Sequence, residues 1–245
     1  MTTMATPLIQ GEKTFSITPE ELDRKELWTA MGYKDAEPEG EIRKTVESLV
    51  DRLVPAARIR YTWRILEAEK ISPRQIVAGG VTFAPEGIIC SYLKGMTHVC
   101  MYIATAGREF DRAVKELNAE GDVFKDFIAD SIGTTLAELA VSRLGADLEA
   151  LVDSTDNEEL LKNGLQKSGV SMSYSPGYCD WNLREQRLFF SLFPEEPCGV
   201  TLTESCLMQP EKSVSGFFAL GKELKRQPYH CDICRNKNCF RRRLR

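Results

Sequence analysis

The sequence of 245 residues is poor in histidine and has no familiar nucleotide-binding motif. Its only histidines are His98 and His230, which nearly excludes histidine-based catalysis and multi-histidine metal sites. Neither a G-x-G-x-x-G pattern nor a Walker A pattern occurs, so no common fingerprint for a nucleotide cofactor is present. With 17 glycines and 11 prolines, the chain is not collagen-like.

Long apolar segments are also missing. The longest stretch without a charged residue covers residues 95–107, whereas a transmembrane helix needs about 20 mainly apolar residues. No apolar run precedes Lys13, the first basic residue, so a secretory signal is not indicated. We therefore expect a cytoplasmic protein that does not span a membrane.

Basic charge is concentrated near the C-terminus. Residues 222–245 contain nine Lys and Arg against two Asp and Glu, whereas the rest of the chain contains 23 against 34 and carries a formal charge of −11. An acidic body argues against a nucleic-acid-binding domain, although the tail alone could contact an acidic partner. An RNA-binding or assembly role for the tail is therefore the least favoured hypothesis.

Hydrophobic periodicity and turn residues divide the chain into groups of helices and groups of strands. Residues 1–16 show no period, which predicts a mobile N-terminal tail. The predicted helices cover residues 18–31, 42–53 and 110–117 and a long segment from Gly121-Asp122 to about 144, and the predicted strands cover residues 59–66, 81–83, 87–93, 99–103, 199–208 and 214–220. This order lacks regular β-α alternation and predicts an α+β fold with a mostly antiparallel sheet.

The most informative segment is the loop at residues 173–181. Pro176-Gly177 at its centre predicts a type II turn, because proline fixes φ at the first central position and glycine supplies a positive φ at the second. Three aromatic residues flank the turn, namely Tyr174, Tyr178 and Trp181. These side chains could hold a flat ring of a ligand, or they could anchor the turn to the core.

Several short motifs surround this loop. They are Ala-Thr-Ala-Gly-Arg-Glu at 104–109, Asp-Ser-Ile-Gly at 130–133, Ser-Pro-Gly-Tyr at 175–178, Asp-Trp at 180–181, Glu-Gln at 185–186, Leu-Thr-Glu-Ser at 202–205, Met-Gln-Pro at 208–210 and Ser-Val-Ser-Gly at 213–216. Their order and spacing resemble the activation domain of cobalamin-dependent methionine synthase, and more closely the short stand-alone members of that family. The resemblance covers about residues 17–221.

The resemblance implies a curved α+β domain at residues 17–221, built on a twisted antiparallel sheet flanked by helices. It also implies a repair function. In the family, the domain binds S-adenosylmethionine and docks over the corrin, and the methyl group restores methylcobalamin after a one-electron reduction of inactive cobalt(II). The protein supplies binding and orientation. We therefore expect a non-catalytic reactivation module that acts on another polypeptide, since no cobalamin, folate or homocysteine module is recognisable.

The resemblance assigns the ligand site to two segments. Ser175, Pro176, Gly177 and Tyr178 match the turn that contacts the adenosine and methionine parts of the ligand. Glu138 on the long helix matches a glutamate that approaches the ligand's ammonium group. The alternative for Glu138 is a solvated carboxylate on a helix face.

One position departs from the family pattern. The larger enzymes carry an arginine five residues before the tyrosine, where it can pair with the ligand carboxylate, and this chain has Ser173 there. Loss of a bidentate guanidinium contact costs about 1.5–3 kcal/mol if nothing replaces it. Lys167 and Arg184 are the candidate replacements in the sequence.

Three of the eight cysteines, Cys231, Cys234 and Cys239, crowd into the basic tail at residues 222–245. A C-x2-C pair can aim both sulfurs at one metal ion. Three alternatives stay open: an iron–sulfur cluster that supplies an electron, zinc with His230 or a distant cysteine as fourth ligand, or no metal. The five scattered cysteines are expected to be small buried hydrophobic residues.

Two functional hypotheses follow. In the first, the chain is an S-adenosylmethionine-binding accessory protein that supports reductive reactivation of cobalamin on a methionine synthase or a related corrinoid methyltransferase, with electrons from a separate donor protein. In the second, the cysteine tail is the active part, and the chain is a redox or metal-carrying accessory protein that docks on a corrinoid enzyme. Neither hypothesis involves a membrane or a nucleic acid.

Overall fold

A computed structural model describes residues 6–33, 36–119, 121–154 and 157–226. The strands, in chain order, are β1 (Ile9–Phe15), β2 (Ile59–Ser72), β3 (Gln75–Ala78), β4 (Val81–Phe83), β5 (His98–Thr105), β6 (Gly169–Tyr174), β7 (Thr201–Leu202), β8 (Met208–Gln209) and β9 (Ser213–Gly221). The helices are α1 (Arg24–Ala30), α2 (Gly40–Leu53), α3 (Glu86–Ser91), α4 (Arg108–Asn118), α5 (Val123–Asp153), α6 (Glu158–Lys162) and α7 (Gln186–Phe190).

Within the described residues, seven strands form one sheet in the order β4-β3-β2-β5-β9-β6, with β1 paired along the first half of β2. All of these pairings are antiparallel. β7 and β8 pair separately as a two-stranded ribbon. Helices cover the sheet, so the predicted α+β fold with an antiparallel sheet flanked by helices is confirmed.

The centre of the sheet is apolar on both faces, which explains the dense run of hydrophobic residues in β5. Every residue of β5 is buried. Cys100, Tyr102 and Ala104 face one core cluster, which also contains the buried residues of α2 and most of those of α5. Val99, Met101 and Ile103 point the other way, because successive side chains of a strand alternate, and they belong to a second cluster.

The long helix α5 has 31 residues and begins where the sequence predicted. Its N-cap is Asp122, whose Oδ1 accepts hydrogen bonds from the backbone N–H groups of Phe124 at 3.0 Å and Lys125 at 3.2 Å. Such a cap satisfies amide groups that have no partner in the first turn. α5 packs along the sheet face, and this places its middle turns beside the loop that follows β6.

The N-terminal prediction is wrong for residues 9–15. They form β1, in register with β2 from Ile9 opposite Ile65 to Phe15 opposite Ile59. The strand is an edge strand with mostly exposed side chains, so its sequence carries little period-2 hydrophobic signal. The described start of the predicted basic tail also belongs to the body, since Leu224 is buried.

Three other predicted elements differ from the structure. The helix predicted at 18–31 is a short 3-10 turn followed by α1, which Asp23 caps separately. Residues 86–91 form α3 and not a strand, since a short apolar run fits a buried helix turn equally well. The strand predicted at 199–208 is reduced to β7 and β8 with a tight turn between them. No helix in the described ranges combines the length and apolarity needed to cross a bilayer.

Candidate functional site

The loop after β6 contains the predicted type II turn. The backbone N–H of Tyr178 donates to the carbonyl of Ser175 at 3.3 Å, which closes the four-residue turn around Pro176 and Gly177. Gly177 has φ +93°, a conformation that a side chain would strain. The turn is therefore built as the Pro-Gly pair predicted.

A second turn follows the first one and is hydrogen-bonded to it. The N–H of Gly177 donates to the carbonyl of Trp181 at 2.8 Å, and the N–H of Trp181 donates to the carbonyl of Tyr178 at 2.9 Å. Cys179 and Asp180, between these partners, both have positive φ. Two overlapping backbone hydrogen bonds of this kind leave the loop little freedom to change shape.

The sequence left open whether the three aromatic side chains around the turn hold a ligand ring or anchor the turn to the core. The structure shows that two of them are buried and one is exposed. Trp181 is buried and contacts the rings of Phe83, Phe189 and Phe217, with centroids 5.5–6.5 Å away. Tyr174 is also buried, and burial raises the pKa of its hydroxyl. Tyr178, in contrast, is 39% exposed. Tyr174 and Trp181 therefore anchor the loop, and Tyr178 is the exposed side chain of the three.

Strand β9 passes directly beneath the start of the loop. A Cβ added to Gly216 would lie 2.5 Å from the carbonyl oxygen of Tyr174 and 2.7 Å from both the Oη of Tyr102 and the Oγ of Ser175. Only glycine permits this close approach of two backbones. Local packing thus explains the glycine at the last position of the Ser-Val-Ser-Gly motif, Gly216.

A cavity of about 630 Å³ lies between this turn and helix α5. Its lining includes all five ligand-contact residues that the resemblance indicated, namely Glu138, Ser175, Pro176, Gly177 and Tyr178. Glu138 is half-buried on α5, one turn beyond Thr134, which also lines the cavity. The structure therefore brings the two predicted segments together, and their binding of a ligand stays a prediction.

Two polar side chains of the same cavity were not singled out from the sequence. Gln186 and Ser215 are 4% and 1% exposed, and the Oε1 of Gln186 and the Oγ of Ser215 have no hydrogen-bond partner among the described residues. Buried polar atoms are costly when they remain without a partner. Both residues fall within the quoted motifs, but only their burial marks them as candidates for ligand contact.

Among the described residues that line this cavity, the cationic side chain is Lys212, and it is paired with a carboxylate of the protein. The Nζ of Lys212 lies 2.5 Å from the Oδ1 of Asp130 and 3.2 Å from the Oγ1 of Thr134. The ion pair joins α5 to the segment before β9, across the cavity wall. Lys212 therefore stiffens the site, and its charge is largely compensated by Asp130.

A smaller cavity of about 100 Å³ adjoins the larger one, and Glu138, Ser175, Tyr178 and Val214 line both. Ser173 lies there and hydrogen-bonds through its Oγ to the Oη of Tyr102 at 2.5 Å. Neither Lys167 nor Arg184, the replacements considered from the sequence, lines either cavity, and both are exposed. Arg226 does line the smaller one.

Exposed apolar side chains line the larger cavity, and another lies further along helix α5. Leu207 is 58% exposed, and Leu183 is exposed beside Tyr178. Phe127 is exposed on α5 two turns before Thr134, on the same helix face. Exposed apolar residues that cluster around a cavity are typical of an interaction surface.

The metal prediction falls on Cys231, Cys234 and Cys239, which lie outside the described residues together with His230. Within the described ranges, no group of three His, Cys, Asp or Glu side chains is placed to hold a metal ion. The five scattered cysteines are all buried, as expected. Burial raises the pKa of the Cys90 thiol to about 11, which makes it a poor nucleophile.

Comparisons with known proteins identify the family and the fold of the chain. The family model described as vitamin B12 dependent methionine synthase, activation domain, matches residues 83–238, which is more than half of the chain. Among solved structures, the crystal structure of the MetH reactivation domain bound to AdoHcy superposes with a TM-score of 0.61 at 18% sequence identity. The alignment covers 89% of this chain and 82% of that chain. The structural match shows a common fold.

Proposed function

The chain belongs to the vitamin B12-dependent methionine synthase activation domain family, and from that premise we propose that it binds S-adenosylmethionine and supports the reductive reactivation of cobalamin. The cobalamin would be carried by a methionine synthase or a related corrinoid methyltransferase. We also propose that the chain is located in the cytoplasm. In this role the chain is a reactivation module and has no catalytic side chain of its own.

The observation that carries the proposal is the cavity between the Pro-Gly turn and α5. Its volume of about 630 Å³ falls within the range of small-molecule sites, roughly 300–1,000 Å³. The turn offers rigid backbone groups and the exposed ring of Tyr178, and Glu138 offers a carboxylate. S-adenosylmethionine carries two positive charges, on its sulfonium and its ammonium groups, and a half-buried carboxylate favours both.

The partnerless polar atoms of Gln186 and Ser215 support a polar ligand. An amide oxygen accepts hydrogen bonds, and a hydroxyl both donates and accepts. A nucleoside offers N–H and O–H donors as well as ring-nitrogen acceptors, so it would satisfy both side chains. The residues present therefore fit the proposed ligand in cavity volume, in charge and in hydrogen-bonding capacity.

The chain's residues would bind and orient the methyl donor and exclude water from it. The partner's cobalamin, once reduced by one electron from a donor protein, would take the methyl group, and the sulfur would keep the electron pair of the broken bond and leave as S-adenosylhomocysteine. The exposed apolar residues that line the larger cavity, including Leu207 and Leu183, would contact the partner. The acidic body would make the association salt-sensitive.

The proposal is tested by supplying the chain to an inactive corrinoid methyltransferase. The partner, poised in its cobalt(II) form, is mixed with reductant and S-adenosylmethionine, and the absorption spectrum of methylcobalamin is followed. We expect this spectrum to develop only when the chain is present. An equal rate without the chain, for both a methionine synthase and another corrinoid methyltransferase, would contradict the proposal.

A second candidate function rests on the spacing Cys231-x2-Cys234-x4-Cys239. The chain passes from Arg226, which lines the smaller cavity, into the segment that carries these cysteines. An iron–sulfur cluster held there would make the chain an electron-carrying accessory protein. The same spectroscopic assay separates the two candidates when the chain is reduced first and the free reductant is removed before mixing, since only a chain with its own redox centre would then carry an electron to the partner.

A further inference from the structure

The smaller cavity combines opposite charges in a very small space. Glu138 lines it from helix α5, and Arg226, five residues after the end of β9, lines it as well. Its volume of about 100 Å³ equals the share of roughly three liquid water molecules. It is too small for a nucleoside and large enough for the head group of an amino acid.

We propose that this cavity is the α-amino-acid subsite of the ligand site, in which Arg226 binds the carboxylate of S-adenosylmethionine while Glu138 binds its ammonium group. This assignment rests on the proposed function. The larger cavity would then hold the nucleoside, and the ligand would pass between the two where Ser175 and Tyr178 line both. Arg226 acts as a specificity-determining residue, since it distinguishes ligands that carry a carboxylate from those that do not.

Arg226 lies beside helix α5, and this position supports the proposed role. Its Nη1 lies 3.2 Å from the Oε1 of Glu149, and its Nη2 lies 3.7 Å from the place where a Cβ on Gly145 would be. Gly145 is seven residues after Glu138, so it lies on the same helix face about 10 Å along the axis. The guanidinium group therefore lies against the helix stripe that leads to Glu138.

The ion pair with Glu149 does not prevent ligand binding. Both side chains are about half exposed, at 51% and 45%, and exposed ion pairs contribute little to stability. A guanidinium group has five N–H donors, and one contact to Glu149 leaves the others for a ligand carboxylate. A planar guanidinium can bind such a carboxylate through two parallel hydrogen bonds.

Other cations are poorly placed for this role. Among the described residues, Arg226 is the one arginine that lines either cavity, and Lys212 lines the larger one in contact with Asp130. The remaining groups around the smaller cavity include the hydroxyls of Ser142, Ser173 and Ser175. Hydroxyl groups can complete the hydrogen bonding of a zwitterion, and they cannot supply the positive charge that its carboxylate requires.

The test compares S-adenosylmethionine with decarboxylated S-adenosylmethionine, which differs from it by loss of the carboxylate. Calorimetric titration of the full chain should show that the wild type prefers S-adenosylmethionine by about tenfold or more. Arg226→Gln should bind both ligands with nearly equal affinity, and Arg226→Lys should keep part of the preference. Arg184→Gln, which removes an exposed charge outside both cavities, should keep all of it.

An Arg226→Gln variant that keeps the full preference, or that weakens both ligands by the same factor, would overturn the assignment while leaving the proposed function intact. A wild-type chain that binds the decarboxylated ligand as tightly as S-adenosylmethionine would overturn it as well. If the wild type bound neither compound, the proposed function itself would fail and the subsite with it.

Discussion

The indole Nε1 of Trp181 donates a hydrogen bond of 2.7 Å to the Oε2 of Glu185, and the same oxygen accepts one of 2.9 Å from the backbone N–H of Ala84. One carboxylate oxygen thus ties the Pro-Gly loop to the segment between β4 and α3, which is distant in sequence. Because Trp181 also packs among buried aromatic rings, this contact fixes the base of the loop that carries Tyr178.

Removal of the Glu185 carboxylate should loosen the loop. Glu185→Ala leaves the indole N–H and the Ala84 N–H without their acceptor, and we expect the free energy of unfolding to fall by about 2 kcal/mol. Glu185→Gln keeps an acceptor oxygen and should lose less than half as much. Denaturant unfolding measures both changes. Equal losses for the two variants would show that the shared oxygen is not the stabilising feature.

A side chain at residue 216 should displace the turn. In Gly216→Ala the new Cβ would meet the backbone carbonyl of Tyr174 at 2.5 Å, and a backbone atom cannot move aside cheaply. We expect a loss of about 1–3 kcal/mol of stability and a weaker affinity for S-adenosylmethionine, because Ser175 must also shift.

Gly87→Ala is the matched control for this substitution. No atom lies within 4 Å of its added Cβ, and it is in helix α3, where alanine is favoured over glycine. Its stability should be unchanged or slightly higher. A Gly216→Ala variant as stable as Gly87→Ala would contradict the close approach of β9 to the loop.

His98 should make the protein less stable in mild acid. The side chain is buried, and burial lowers its pKa below the ordinary value, with a smaller opposing effect from Glu67. The unfolded chain therefore binds a proton near pH 6.5 that the folded chain binds only at lower pH. Stability is complete above about pH 6.5 and decreases as the pH falls below it.

Denaturant unfolding at pH 7.5 and pH 5.5 tests this dependence. The wild type should lose more free energy of unfolding between the two pH values than His98→Gln, which has no proton to bind in this range. Parallel losses in the two proteins would assign the pH dependence to other groups.

The cysteine tail is tested by metal analysis. If Cys231, Cys234 and Cys239 share an ion, anaerobically purified protein should contain iron with sulfide, or zinc, at about one site per chain. Air oxidation could destroy a cluster, so anaerobic handling is essential. A variant with all three cysteines changed to serine should contain none. Equal and negligible metal in both preparations would contradict a metal site in the tail.

Much of the sheet could be predicted from the sequence because its central strands are apolar and bounded by turn residues. β5 and β9 lie almost where their patterns indicated, and Asp122 caps α5 as expected. β1 was missed because an exposed edge strand depends on its pairing with β2 and carries little hydrophobic pattern of its own.

Some residues of the candidate site could likewise be predicted from the sequence, and others could not. The Pro-Gly turn has a local sequence rule, and Glu138 followed from the family resemblance. Gln186 and Ser215 become candidates only because tertiary packing buries them without a partner. Arg226 lies more than 80 residues from Glu138 in the sequence, and no local pattern connects the two. Long-range packing alone places both beside one cavity.

The most direct test of the account is a titration of S-adenosylmethionine into the full chain and into Glu138→Gln. This substitution keeps the shape of the side chain and removes the charge that faces the cavity. We expect the wild type to bind one ligand per chain and Glu138→Gln to bind it about tenfold or more weakly. Glu116→Gln, an exposed carboxylate of α4 outside the cavity, should bind like the wild type. Equal affinities of the wild type and Glu138→Gln, or no binding by the wild type, would contradict the account.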